Sequence, residues 1–118
     1  MGGITVSYPW APPAVTEAAL FMELVNDGPA ADCLIAAATP VVGTVIFRAH
    51  DGTPLEYYDL LPKRAVALAP GRRYIALRDL KSPLALDDTF PLTLHFEHPG
   101  SLAITAVVEA GIEDDGTG

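Results

Sequence analysis

Three histidines, His50, His95 and His98, are the chain's only imidazoles, and two of them flank an acid in the run His95-Phe96-Glu97-His98. Two imidazoles and a carboxylate make a donor set that Zn(II) or Cu(II) accepts. In an extended strand His95 and Glu97 share one face, and His98 points away from them unless a bulge intervenes. The same pattern also suits an ordinary solvent-facing strand. His50 follows Arg48 by two residues and shares its face if the strand continues. It serves equally well as a polar residue opening the Asp51-Gly52 turn. Soft donors are scarce: Cys33, Met1 and Met22 are all the sulfur in the sequence. Met22 lies in an apolar run, where packing is its default use. A lone cysteine excludes an intrachain disulfide and a cysteine-rich zinc site, and Cys33 reads as a small buried hydrophobe.

Other chemistry is thinly represented. The sequence carries no serine nucleophile context, no zinc-protease helix motif and no glycine-rich phosphate cradle, so it reads as a non-enzyme. Arg72, Arg73, Arg78 and Lys81 gather much of the positive charge. With Arg48 they form a basic patch able to hold a carboxylate. In the competing reading they pair internally with Asp79, Asp87, Asp88 or Glu56. Tyr57, Tyr58 and Tyr74 either line a binding edge or make cross-strand pairs. The net charge of −8 argues against nucleic acid and against anionic lipid surfaces.

Strands must position these groups. Leu92, Leu94 and Phe96 alternate with Thr93, His95 and Glu97, which predicts a half-buried strand. Leu102, Ile104, Ala106 and Val108 repeat the pattern, and Pro99-Gly100 between them predicts a C-terminal hairpin. Ala19 to Val25 reads as a central strand ending at Asn26-Asp27-Gly28. Cys33 to Ala38 fits a strand or one helical turn, its alanines favouring the helix. Thr44 to Ala49 turns at Asp51-Gly52 and returns through Leu55 to Tyr58. Ala65 to Ala69 and Tyr74 to Leu77 flank Pro70-Gly71 as another hairpin. Eleven prolines punctuate a chain of 118 residues, no segment keeps a helical period, and no apolar run reaches the roughly 20 residues of a membrane span. Eight or nine short strands predict a β-sandwich or Greek-key barrel over residues 1–110, with a solvated acidic tail over 111–118.

The order of several segments adds to this. Ile4-Thr5-Val6-Ser7 with Trp10-Ala11, Asn26-Asp27-Gly28 with Ala31-Asp32 and Leu34, Pro40 to Gly43, Pro70-Gly71, and above all Leu80 to Phe96 occur in sequence with few gaps. This series resembles the PCu(A)C family of extracytoplasmic copper chaperones, from about Ile4 to Glu109. The resemblance implies a cupredoxin-like Greek-key β-sandwich and a periplasmic or otherwise extracytoplasmic place in copper handling or oxidase assembly. It also implies a copper-donating or copper-receiving protein partner, without membrane insertion. Met1-Gly2-Gly3-Ile4 lacks the basic and apolar regions of a secretory signal, so the resemblance implies that a signal once preceded it.

The family's copper site uses two histidines and two methionines. Carried over, the first histidine falls on Arg48, one methionine falls near Tyr57, and a His-x-Met pair falls on Tyr74 and Ala76. None of these four residues is a family ligand, and an arginine offers no lone pair to a metal. Two expectations follow. Copper binds elsewhere, at His50 or in the His95/His98 region, or the domain is a metal-free module that holds a partner at the altered edge near Arg48, Tyr74 and Arg78.

Overall fold

Alternating apolar residues become strands throughout. In the computed structural model, which describes residues 3–98 and 100–110, no helix occurs among those residues. The strands are β1 (Ile4–Ala11), β2 (Glu17–Asn26), β3 (Asp32–Ala38), β4 (Val42–Arg48), β5 (Pro54–Leu55), β6 (Tyr58–Leu60), β7 (Arg64–Leu68), β8 (Tyr74–Leu80), β9 (Thr89–Phe96) and β10 (Gly100–Val108). They connect in the order β5-β4-β8-β2-β1-β10-β9-β3-β6, and β7 attaches to β2 beside this path. Non-consecutive neighbours such as β2 with β8 and β3 with β9 are the crossovers of a Greek key. The architecture is all-β with Greek-key crossovers, as the strand pattern predicts, and cupredoxin-like, as the resemblance implies.

The long strand β2 joins the two halves. Its first residues, Glu17 to Leu20, pair with β8, while Met22 to Asn26 pair with β7. Its other edge takes β1. β1 then turns through a register shift between Ser7 and Trp10, where Tyr8 has a φ of 54°, and pairs in parallel with β10 through Trp10 and Ala11. Leu20, Leu24, Leu34, Ile75, Leu77, Leu92, Leu94 and Phe96 fill the core from the two layers. Trp10 is buried against Phe21, with ring centroids 5.0 Å apart.

Several local expectations change. The segment from Cys33 is the strand β3, because Leu34 enters the core and its neighbours pair with β6 and β9. Tertiary pairing there outweighs the helical preference of the alanines. The predicted return strand from Leu55 to Tyr58 divides: Pro54 and Leu55 pair with β4, whereas β6 crosses to β3. β7 and β8 do not form a hairpin ladder. Both lie along β2, and only an isolated bridge joins Leu68 to Arg73. The C-terminal hairpin is present, with Leu102 opposite Leu94. Met1, Pro99 and the acidic tail at 111–118 lie outside the described residues.

Candidate functional site

Asp32 opens β3 and is almost wholly buried. Its Oδ1 accepts the backbone N–H of Cys33 at 2.7 Å and that of His98 at 3.2 Å. His98 Nδ1 lies 3.4 Å from the same oxygen. Asp32, Glu97 and His98 each place a donor atom within 4.8 Å of the others, and the two later residues are exposed. Glu97 and His98 belong to the turn that follows β9, so strand alternation no longer separates them. A backbone bond from Glu97 N to Cys33 O, 3.0 Å long, holds this turn against β3. A groove of about 310 Å³, with Asp32 and His98 in its wall, gives access from solvent.

Asn26 builds the other side of that groove. Its buried amide donates to Leu60 O and Ala30 O, both at 2.9 Å, and its Oδ1 accepts Gly28 N at 2.9 Å. The loop that delivers Asp32 is thus tied to the last residue of β2.

The expected grouping of histidines is redrawn by this geometry. His95 remains on β9 and its Nδ1 bonds Ser101 Oγ at 2.7 Å across the hairpin. His98 joins Asp32 and Glu97 instead. The sequence reading missed Asp32, which lies 66 residues before His98. Its signal was a lone acid at the head of an otherwise apolar strand. His50 is in the turn after β4, which ends at Arg48, and faces a groove shared with Arg72 and Arg73.

Arg48 and Tyr74 are register partners on β4 and β8, and Ile46 and Ala76 pair two residues further along. Between Arg48 and Tyr74 sits the hydroxyl of Tyr58, from the opposite layer. It accepts Arg48 N–H at 3.1 Å and faces the carbonyl oxygens of Arg48, at 2.8 Å, and Tyr74. Its ring stacks on Phe47 at 5.0 Å. Burial pushes the Tyr58 phenol up to about 12. Tyr57, in contrast, is 48% exposed. The Arg48 guanidinium donates to Gly52 O at 2.8 Å. Ala76 is buried.

Cys33 is half-buried, not a fully buried hydrophobe, and its Sγ lies 3.6 Å from Asp59 Oδ1. Burial first, then the bond to Asp59 and the charges of Glu97, Asp59 and Asp32, push its thiol up. Alkylation by iodoacetamide at pH 8 is therefore expected to run several-fold slower than for free cysteine, as followed by mass spectrometry, and to quicken in Asp59→Asn. A rate at or above that of free cysteine would contradict this assignment.

The likeness to known proteins fits this architecture. A model of the LpqE-like lipoprotein family matches residues 4–108. The apo PCuAC domain of PmoF1 is 30% identical with a TM-score of 0.85, over 92% of this chain and 95% of that one. This chain belongs to the PCuAC-like family that the LpqE-like model describes. The copper-bound PCuAC domain of PmoF2 is 29% identical with a TM-score of 0.86, over 92% of this chain and 94% of that one. The Cu(I) form of DR1885 from Deinococcus radiodurans shares the fold, with a TM-score of 0.71 at 24% identity, over 92% of this chain and 80% of that one. No curated protein sequence matches. As a PCuAC protein the chain stands within a copper-handling family.

Proposed function

We propose that the protein carries copper outside the cytoplasm, holding the ion as Cu(II) at Asp32, Glu97 and His98. The observation behind this reading is the convergence of those three side chains within 4.8 Å, with an open groove beside them. A copper-bound relative at 29% identity supports the choice of ion. The donors support its oxidation state: carboxylates and one imidazole suit Cu(II), which heads the divalent affinity series, whereas Cu(I) favours sulfur. Two carboxylates also balance the charge of a divalent ion. Asp32 Oδ1 is already taken by N–H donors, and its Oδ2 accepts no hydrogen bond among the described residues. That oxygen is the one left for a cation. Exposure of Glu97 and His98 keeps the ion within reach of a receiving protein.

The residues at the family's ligand positions do not fit copper in the same way. Arg48 brings a positive charge, and Tyr58 occupies the backbone between Arg48 and Tyr74. That observation favours the second reading, a metal-free module holding a partner at this edge. Titration with Cu(I) and Cu(II), each against a competing chelator, separates the two. One equivalent of Cu(II) is expected, weakened at least tenfold by His98→Ala and by Glu97→Gln and unchanged by His50→Ala or His95→Ala. Stoichiometric Cu(I) binding, or Cu(II) binding indifferent to His98, overturns the carrier reading. Failure of both ions to bind selects the metal-free module.

A further inference from the structure

The path of strands ends at β6, and β7 hangs on β2 without continuing it. Only Leu61, Pro62 and Lys63 link β6 to β7, and no ladder joins them. The outer edge of β7 therefore faces a seam in the barrel. In a strand paired on one side, alternate residues turn their N–H and C=O groups away from that partner. Ala65, Val66 and Ala67 line an open groove of about 670 Å³.

The groove is basic on an acidic protein. Arg64, Arg72, Arg73 and His50 line it, and Asp59 is the one acid in its wall. None of these arginines makes an ion pair among the described residues, whereas Arg78 is engaged by Glu17 at 3.8 Å. Three of the chain's seven lysines and arginines are thus collected at one sheet edge. The expected internal pairing with Asp79, Asp87, Asp88 or Glu56 does not occur there. Charges on an edge strand also serve to keep other strands away. Here they carry one sign and border an open concavity of about 670 Å³.

We propose that the β7 edge binds an extended acidic protein segment by strand addition. Main-chain hydrogen bonds from β7 supply affinity, and the forks of Arg64, Arg72 and Arg73 select carboxylate side chains. This site is separate from the Asp32–Glu97–His98 cluster, so it stands whether or not copper binds there.

The test uses the whole chain and two fluorescein-labelled octapeptides, one alternating Glu and Val, the other Lys and Val. Anisotropy is expected to show the acidic peptide binding at least tenfold more tightly than the basic one. Arg72→Glu with Arg73→Glu should lower its affinity at least tenfold. Amide hydrogen exchange should slow at alternate positions from Arg64 to Leu68 when the acidic peptide is added. Equal binding of the two peptides, no binding of either at millimolar concentration, insensitivity to the double charge reversal, or protection confined to another edge overturns the proposal. A thermal melt of the double variant that matches the parent shows that any loss belongs to the groove; if the variant melts early, Arg64→Gln replaces it.

Discussion

Asn26→Ala is expected to destabilise the fold by roughly 2–4 kcal/mol, a large change for a single polar truncation. The replaced side chain makes three hydrogen bonds at 2.9 Å, to Ala30 O, Leu60 O and Gly28 N, from a position 2% exposed. Leu60 is itself buried, so its carbonyl keeps much of its desolvation cost without its partner. In a domain of this size the loss corresponds to a fall in Tm on the order of 10 °C, read by calorimetry or circular dichroism. Asn26→Asp should fall between the two proteins, because it retains the acceptor for Gly28 and loses the amide donors. A change in Tm of about one degree or less for Asn26→Ala would show that the bonds add little beyond what solvent supplies.

The second large effect concerns Tyr58. Tyr58→Phe keeps the ring on Phe47 and removes only the hydroxyl that meets Arg48 and Tyr74. The expected cost is about 1–3 kcal/mol near neutral pH, since a buried N–H loses its acceptor. The parent should carry its own pH signature. Its phenol titrates near 12 when folded, against an ordinary value of 10.0, because burial disfavours the phenolate. A pKa raised by folding gives stability that is complete below the unfolded value and is lost as pH climbs through the folded one. The stability gap between parent and Tyr58→Phe should therefore narrow from about pH 9 to about pH 11.5 in denaturant titrations. A constant gap across that window would mean that the hydroxyl is solvated in the native state.

The fold was legible because its signals are local and repeated. Leu92, Leu94 and Phe96 alternate with polar residues, and in the structure they are buried as that period requires. The hairpins at Asp51-Gly52 and after Phe96 follow from turn chemistry next to patterned strands. Non-local matters escaped. Nothing near Ala65 to Leu68 says that this run leaves β8 and attaches to β2, and nothing near Leu55 says that Tyr58 belongs to the other layer. The three alanines of β3 misled for a related reason, since strand pairing decided their conformation.

The candidate site divides in the same way. His98 and Glu97 stood out by residue type, but their partner Asp32 comes from the far end of another strand. Strand alternation pairs His95 with Glu97 and turns His98 away, but the strand stops at Phe96, so that rule does not reach Glu97 or His98. Arg48 and Tyr74 were paired through family resemblance, and the register places them opposite each other. Tyr58, which lies between them, was one position from the residue expected there.

The parallel contact of β1 with β10 has a kinetic meaning. Trp10 meets Val107, and Ala11 meets Val108, so the first strand's outer neighbour is the last strand, made almost a hundred residues later. Sheets with such distant contacts fold on the order of milliseconds to seconds, because a long loop must close before its ends gain anything. A nascent chain that stops short of Gly100 leaves one edge of β1 without its strand. Closure of the sheet therefore waits for β10 to be made, and that delay is written into the strand order itself.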